Sequence, residues 1–293
     1  LRGREWQDLH AGSEICILMK KVCEVRRLAG YGIGLLLFYA PFAFYQKMYY
    51  WLVGENSYGD IHDFCLRIPL EHIWQGRIFT VGDLGSLSLG ILLGTAFFLG
   101  PVFCGRFCVA GAIGEYLSRL LPHRLQVDWT IYLPPGPVRF GILTGFLLSP
   151  FVGGYLACAY CSYRLVEAGS LYLFYGTVMA LPSSVILTGI LWLVLFGIFT
   201  RGGRGFCNYL CPVGAVQSLV HILGCHWQLA CRVVIQQEKC TVCSSCIRGC
   251  PMRALHITEK GISHELQHCI TCGRCWEGCP TGALHYVRRE RRK

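Results

Sequence analysis

From residue 30 onward the chain alternates long apolar runs with short polar, basic or cysteine-bearing stretches. The apolar runs cover about 30–52, 84–103, 138–157 and 171–199. As helices rising 1.5 Å per residue, runs of this length suffice for about 30 Å of hydrocarbon, so the pattern predicts four membrane spans. The first opens near Gly30, passes through Leu35, Leu36, Leu37, Phe38 and Pro41, and closes on Tyr45, Tyr49, Tyr50 and Trp51, which read as an interfacial aromatic belt. In the fourth, Pro182 predicts a bent or surface-lying piece over its first ten residues. Residues 1–29 carry Lys20, Lys21, Arg26 and Arg27 and predict a short amphipathic helix on the membrane surface. Cys16 and Cys23 share one face of it and read as small packed residues.

The second and fourth runs end in related motifs. Phe103-Cys104-Gly-Arg-Phe-Cys108 with Gly111-Ala112 maps, at an offset of 103, onto Phe206-Cys207-Asn-Tyr-Leu-Cys211-Pro212 with Gly214-Ala215. An amphipathic stretch follows each. The membrane part therefore reads as two parallel two-helix repeats about an axis along the membrane normal, with both cysteine pairs on one side. Beyond residue 231 the apolar runs stop and a shorter repeat begins.

That repeat is Cys-x-x-Cys-x-x-Cys-x-x-x-Cys-Pro, at Cys240, Cys243, Cys246, Cys250 and Pro251, and 29 residues later at Cys269, Cys272, Cys275, Cys279 and Pro280. Three thiolates two residues apart in a tight loop suit three corners of an iron–sulfur cubane, and the last cysteine of each run serves the other cluster. This predicts one [4Fe-4S] centre on Cys240, Cys243, Cys246 and Cys279, and a second on Cys269, Cys272, Cys275 and Cys250. Paired structural zinc sites are the rival, but they favour separated Cys-x-x-Cys pairs. A unit this small buries little core, so its clusters should supply much of its folding free energy.

Cys104, Cys108, Cys207 and Cys211 form the third group. The repeat axis would let the pairs converge on a further iron–sulfur or other metal site; they are otherwise thiols packing the repeat interface, or a metal-free redox dithiol. Cys158 and Cys161 are open between a disulfide, metal coordination and packing. No histidine falls within an expected span and no Cys-x-x-Cys-His occurs, so no haem of the chain's own is expected.

Composition agrees with the membrane class: 53% of residues are hydrophobic and 15% charged. The net charge of +10 could signal nucleic acid, but the basic residues gather beside the apolar runs and in the tail 288–293, so no nucleic-acid partner is expected. Of the 27 Lys and Arg, twenty-three fall on the side of the termini and cysteine motifs and four on the other, which predicts cytoplasmic termini.

Over about residues 28–286 the combination of four spans, two Cys-x-x-x-Cys elements and a C-terminal double ferredoxin resembles the membrane ferredoxins of NapH and NosR type, found with periplasmic nitrate reductase and nitrous oxide reductase systems. Val109 departs from the pattern, which usually has proline there. The resemblance implies a multi-pass protein of the prokaryotic inner membrane that passes electrons between the quinol pool and redox partners. Those partners would be another ferredoxin-like subunit, a multihaem cytochrome or a terminal reductase. A quinol site needs an apolar slot and a proton-accepting group; Glu71, His72, Trp74 and Glu167 are candidates, against the alternative that they are solvated loop residues. Rival functions are metal-centre assembly, such as copper reduction, and a structural anchor wiring other redox subunits. The expected fold is thus an all-α four-helix transmembrane domain (30–231) after the segment 1–29, then a small α+β bacterial-type 2[4Fe-4S] ferredoxin domain (232–287) and a basic tail (288–293).

Overall fold

The computed structural model describes residues 2–54, 69, 84–152, 161–178, 180–259 and 261–288, with side chains from residue 18 onward. The first helix, Arg2–Phe38, runs without a break through the boundary expected at residue 29. Pro41 and the left-handed Ala43 then interrupt the apolar run, and Phe44–Val53 forms a separate helix ended by Gly54. The second run yields the 16-residue helix Leu84–Leu99, stopped by Gly100 and Pro101. The third yields Pro135–Val152, 18 residues that include Pro150 and a buried Arg139. The fourth divides into Ser162–Tyr175, capped by Gly176, and Ser183–Gly189, which continues as a π-helix over Ile190–Ile198.

These breaks overturn the four-helix transmembrane domain. Among the described residues no helix is long and apolar enough to cross a membrane. Sixteen residues at 1.5 Å each reach about 24 Å, short of a hydrocarbon core; the longer Pro135–Val152 is diluted by Arg139 and its prolines. Glycine and proline cut the apolar runs into pieces that pack on one another. Leu89, Leu92, Phe146 and Val213 form one core, and Tyr39, Ala110, Val166, Trp192 and Phe206 a second. Large apolar side chains nonetheless stay exposed on the outer faces, among them Leu87, Ile91, Phe98, Ile190 and Val194.

The C-terminal unit is built from two antiparallel strand pairs. β1 (Arg232–Ile235) pairs with β4 (Leu284–Val287), closing the unit end to end, and β2 (Leu255–Thr258) pairs with β3 (Gly261–His264). Val233, Leu255, Ile262 and Leu284 project from the four strands into one core that the cysteines surround.

Candidate iron–sulfur sites

The 29-residue repeat extends to the backbone. Val242, Ser244 and Arg253 have left-handed φ of 51°, 59° and 56°, and their repeat mates Thr271, Gly273 and Gly282 have 51°, 95° and 60°. β-Branched residues adopt this region at a cost of about 1–3 kcal/mol, and such strain concentrates at functional loops. Alternating left-handed residues also form the amide-lined concavities that hold anions and iron–sulfur clusters. The sulfur contacts repeat as well: Ala254 N–H donates to Cys250 Sγ and Ala283 N–H to Cys279 Sγ, both at 3.3 Å.

Thiols of the two repeats face one another across the unit. Cys275 faces Cys269, Cys272 and Cys250 and also Cys246, and Cys246 in turn faces Cys243 and Cys279; Cys240 packs on the same core. Burial, reinforced by the neighbouring thiols, pushes Cys269 up to about 12 and Cys250 to about 11. Loading a metal must therefore displace their protons. Cys243 is exposed, and it marks the outer edge of the unit.

Cys104, Cys108, Cys207 and Cys211 converge. Cys104 faces all three others, and burial followed by this crowding raises its pKa. Each pair sits at the same turn of its repeat: short helices Val102–Arg106 and Gly205–Tyr209 carry the first cysteine, and the second precedes Val109–Ser118 or Pro212–His226 as N-cap. Gln217 Nε2 donates to Cys104 Sγ at 3.2 Å, and Tyr163 OH lies 3.8 Å from Cys108 Sγ. Among the described residues no three His, Cys, Asp or Glu close around a single ion; a cubane instead engages each thiolate at its own iron corner. Soft sulfur donors with N–H and O–H groups directed at them fit such a cluster in all three sets.

The quartet and the ferredoxin unit touch. Cys104 and Cys207 pack against a core of Met252, Ala254, Ile270 and Cys272, on which Cys250 also packs. A Cβ on Gly105 would stand 2.2 Å from the Ile270 carbonyl oxygen and 3.0 Å from Cys272 Cα, so only glycine permits this approach. Next to Cys207, Asn208 Oδ1 accepts a 2.8 Å hydrogen bond from Nδ1 of His268, which precedes Cys269. Burial, followed by the nearby Arg139, holds His268 down at about 4, so it is a neutral donor at pH 7.

A polar knot that no motif announced clamps these parts. Glu115 accepts both terminal nitrogens of Arg27 at 2.8 and 2.7 Å, Nε of Arg204 at 2.7 Å and Nη2 of Arg119 at 2.9 Å, with Arg274 at 3.2 Å. Arg204 also donates to the Cys104 carbonyl at 2.6 Å. Tyr31 OH accepts from Arg27 and Arg204 and donates to the Gly105 carbonyl, each at 2.7 Å. One carboxylate thus ties the first helix, both cysteine repeats and, through Arg274, the ferredoxin loop. Scattered through unrelated stretches, these residues form no spacing pattern.

Of the quinol-site candidates, Glu71, His72 and Trp74 lie outside the described residues. Glu167 is buried on Ser162–Tyr175 and interacts with Tyr39, whose ring stacks on Tyr163 at 5.3 Å and 9°. Cys158 also lies outside the described residues. Cys161 is a free N-cap whose Sγ accepts from Arg164 N–H at 3.4 Å, and Cys23 is buried.

Comparison with known proteins bears on the same stretches. A model described as a 4Fe-4S dicluster domain matches residues 232–280. One described as a 4Fe-4S binding domain matches twice, over 84–127 and 185–229, and each match takes in one Cys-x-x-x-Cys element. The chain thus carries ferredoxin-type 4Fe-4S domains. It is 29% identical over 191 residues to an uncharacterized protein of Methanocaldococcus jannaschii (61% of this chain, 71% of that protein). It is 28% identical over 193 residues to the methylamine utilization ferredoxin-type protein MauN of Methylorubrum extorquens (62% and 58%). A third relative, the putative electron transport protein YccM of Escherichia coli, is 22% identical over 188 residues (61% and 49%). The ferredoxin-type chain thus spans less than two thirds of the length of two of these three relatives. The matched domains and two of the relatives' names support a role in iron–sulfur electron transfer. No solved structure is a significant match.

Proposed function

We propose that this protein carries electrons between quinol and a partner oxidoreductase at the prokaryotic inner membrane, with the ferredoxin unit on the cytoplasmic side. The observation that carries the quinol end is the stack of Tyr39 on Tyr163, with the buried Glu167 one turn along the helix from Tyr163 and Tyr163 OH 3.8 Å from Cys108 Sγ. Oxidation of one quinol releases two electrons and two protons. Glu167 is the acceptor for the first proton and water at the mouth of the site for the second, and Tyr163 leads from the carboxylate side to the sulfur quartet. When bound in the three thiol sets, [4Fe-4S] clusters would supply one-electron carriers.

The sets line up in an order. Through Cys104 and Cys207 the quartet packs on the core that holds Cys272 of the second set, and the first set reaches the surface at Cys243. A redox partner would therefore dock near Cys243 and Val242, where the side chains are open to solvent. Contact with lipid is supported by the exposed apolar residues of Leu84–Leu99 and Ile190–Ile198.

The test is reduction of the purified protein by a soluble quinol. Glu167→Gln and Tyr163→Phe should slow quinol-driven bleaching of the cluster absorbance, by about a hundredfold for loss of the proton acceptor. Reduction by dithionite should be unchanged. Wild-type quinol rates in both variants would contradict the reading. Copper in place of iron at the quartet would favour metal-centre assembly, since an all-sulfur site also suits Cu(I).

A further inference from the structure

The surroundings of the quartet contain donors and cations. Gln217 and Tyr163 direct N–H and O–H groups at Cys104 and Cys108. Two guanidinium groups lie against the repeat-related glycines. A Cβ on Gly111 would stand 2.4 Å from Arg204 Nη1 and 3.5 Å from Cys207 Sγ; one on Gly214 would stand 3.0 Å from Arg139 Nη2 and 3.8 Å from Cys211 Sγ. At equivalent points of the two repeats, a missing side chain makes room for an arginine beside a sulfur.

The two cations differ in compensation. Arg204 shares the Glu115 carboxylate. Arg139 is 2% exposed, donates through Nη1 to the Gln267 carbonyl at 2.6 Å, and leaves Nε without a partner. Among the described residues no carboxylate forms an ion pair with it; besides the neutral His268, the groups its charge meets are Cys211, Cys104 and Cys207. An unpaired charge taken out of water costs several kcal/mol, so a buried guanidinium persists where something anionic faces it.

We propose that Arg139 is the counter-charge of an anionic iron–sulfur centre on Cys104, Cys108, Cys207 and Cys211, and that it raises the reduction potential of that centre. The proposal rests on the quartet holding a cluster. Reduction adds a negative charge, and a fixed cation in a water-poor site favours the more negative state. Arg204, which already has the Glu115 carboxylate as a partner, contributes less.

EPR-monitored redox titration of the purified, iron-loaded protein tests this with Arg139→Gln and Arg139→Lys. In Arg139→Gln the oxidised-to-reduced ratio of the quartet centre at a fixed potential should rise about tenfold, equivalent to a midpoint lower by about 59 mV for one electron. Arg139→Lys should stay near wild type. The centre on Cys240, Cys243, Cys246 and Cys279 should keep its midpoint in both. Loss of the quartet signal in Arg139→Gln with retention in Arg139→Lys would also support a requirement for charge. An intact signal with an unmoved midpoint in Arg139→Gln, or loss of the signal in both variants, would overturn the proposal. Absence of a third signal from the wild type would instead remove the centre itself.

Discussion

Glu115 shows how one residue can hold several elements. Burial alone would keep its carboxyl protonated, but Arg204, Arg27 and Arg119 outweigh burial and bring its pKa down to about 2 from an ordinary 4.5. A depressed carboxylate stabilises the fold above its unfolded pKa and loses that contribution as pH falls through the folded one. Acid unfolding followed by circular dichroism should therefore include a Glu115-dependent loss between about pH 4.5 and 2. Glu115→Gln leaves Arg204 buried without a counter-charge and Arg27 with only Glu24 at 3.7 Å, and should cost about 3–5 kcal/mol in denaturant unfolding. An unchanged midpoint would mean that the knot is not what clamps the elements. Arg139 and Glu115 were both opaque at the sequence level. Arg139 counts there as one more flanking charge, and Glu115 as the polar face of an amphipathic stretch. Their roles depend on which distant residues fold around them.

Among the elements, the cysteine turns were legible and the helix limits were not. The 29-residue offset predicts equivalent loops, and the structure repeats their left-handed residues at Val242 and Thr271, Ser244 and Gly273, and Arg253 and Gly282. Apolar runs say less, because hydropathy ignores where Pro41, Gly100, Gly176 and Pro182 interrupt the backbone hydrogen bonding. The contact between Val102–Arg106 and the ferredoxin loop turns on Gly105. Gly105→Ala should place a methyl against the Ile270 carbonyl and cost about 1–3 kcal/mol by overpacking. The variant should also slow electron transfer from quinol to the ferredoxin set. Stopped-flow absorbance checks the second effect, and wild-type kinetics would show that this approach is not the path.

At the scale of the molecule, two duplications meet at one junction. The first places four sulfurs at the ends of its repeats, the second places eight in its loops, and Cys104, Cys207, Cys272 and Cys250 share the contact between them. Both duplications could be read from residue spacing. The direct contact could not, since the stretch between Cys211 and Cys240 does not reveal how the ferredoxin unit folds back. Nor could the Glu167–Tyr39–Tyr163 approach to Cys108, which draws on two separate helices and the turn between the first pair. The central claim is that the quartet is a third iron–sulfur centre feeding the other two. Its most direct test is an iron determination with EPR on anaerobically purified wild-type protein and the double variant Cys104→Ser, Cys207→Ser. About twelve irons and three cluster signals in the wild type, with loss of about four irons and one signal in the variant, is the predicted result. About eight irons, two signals and four freely alkylated thiols at Cys104, Cys108, Cys207 and Cys211 in the wild type would contradict it.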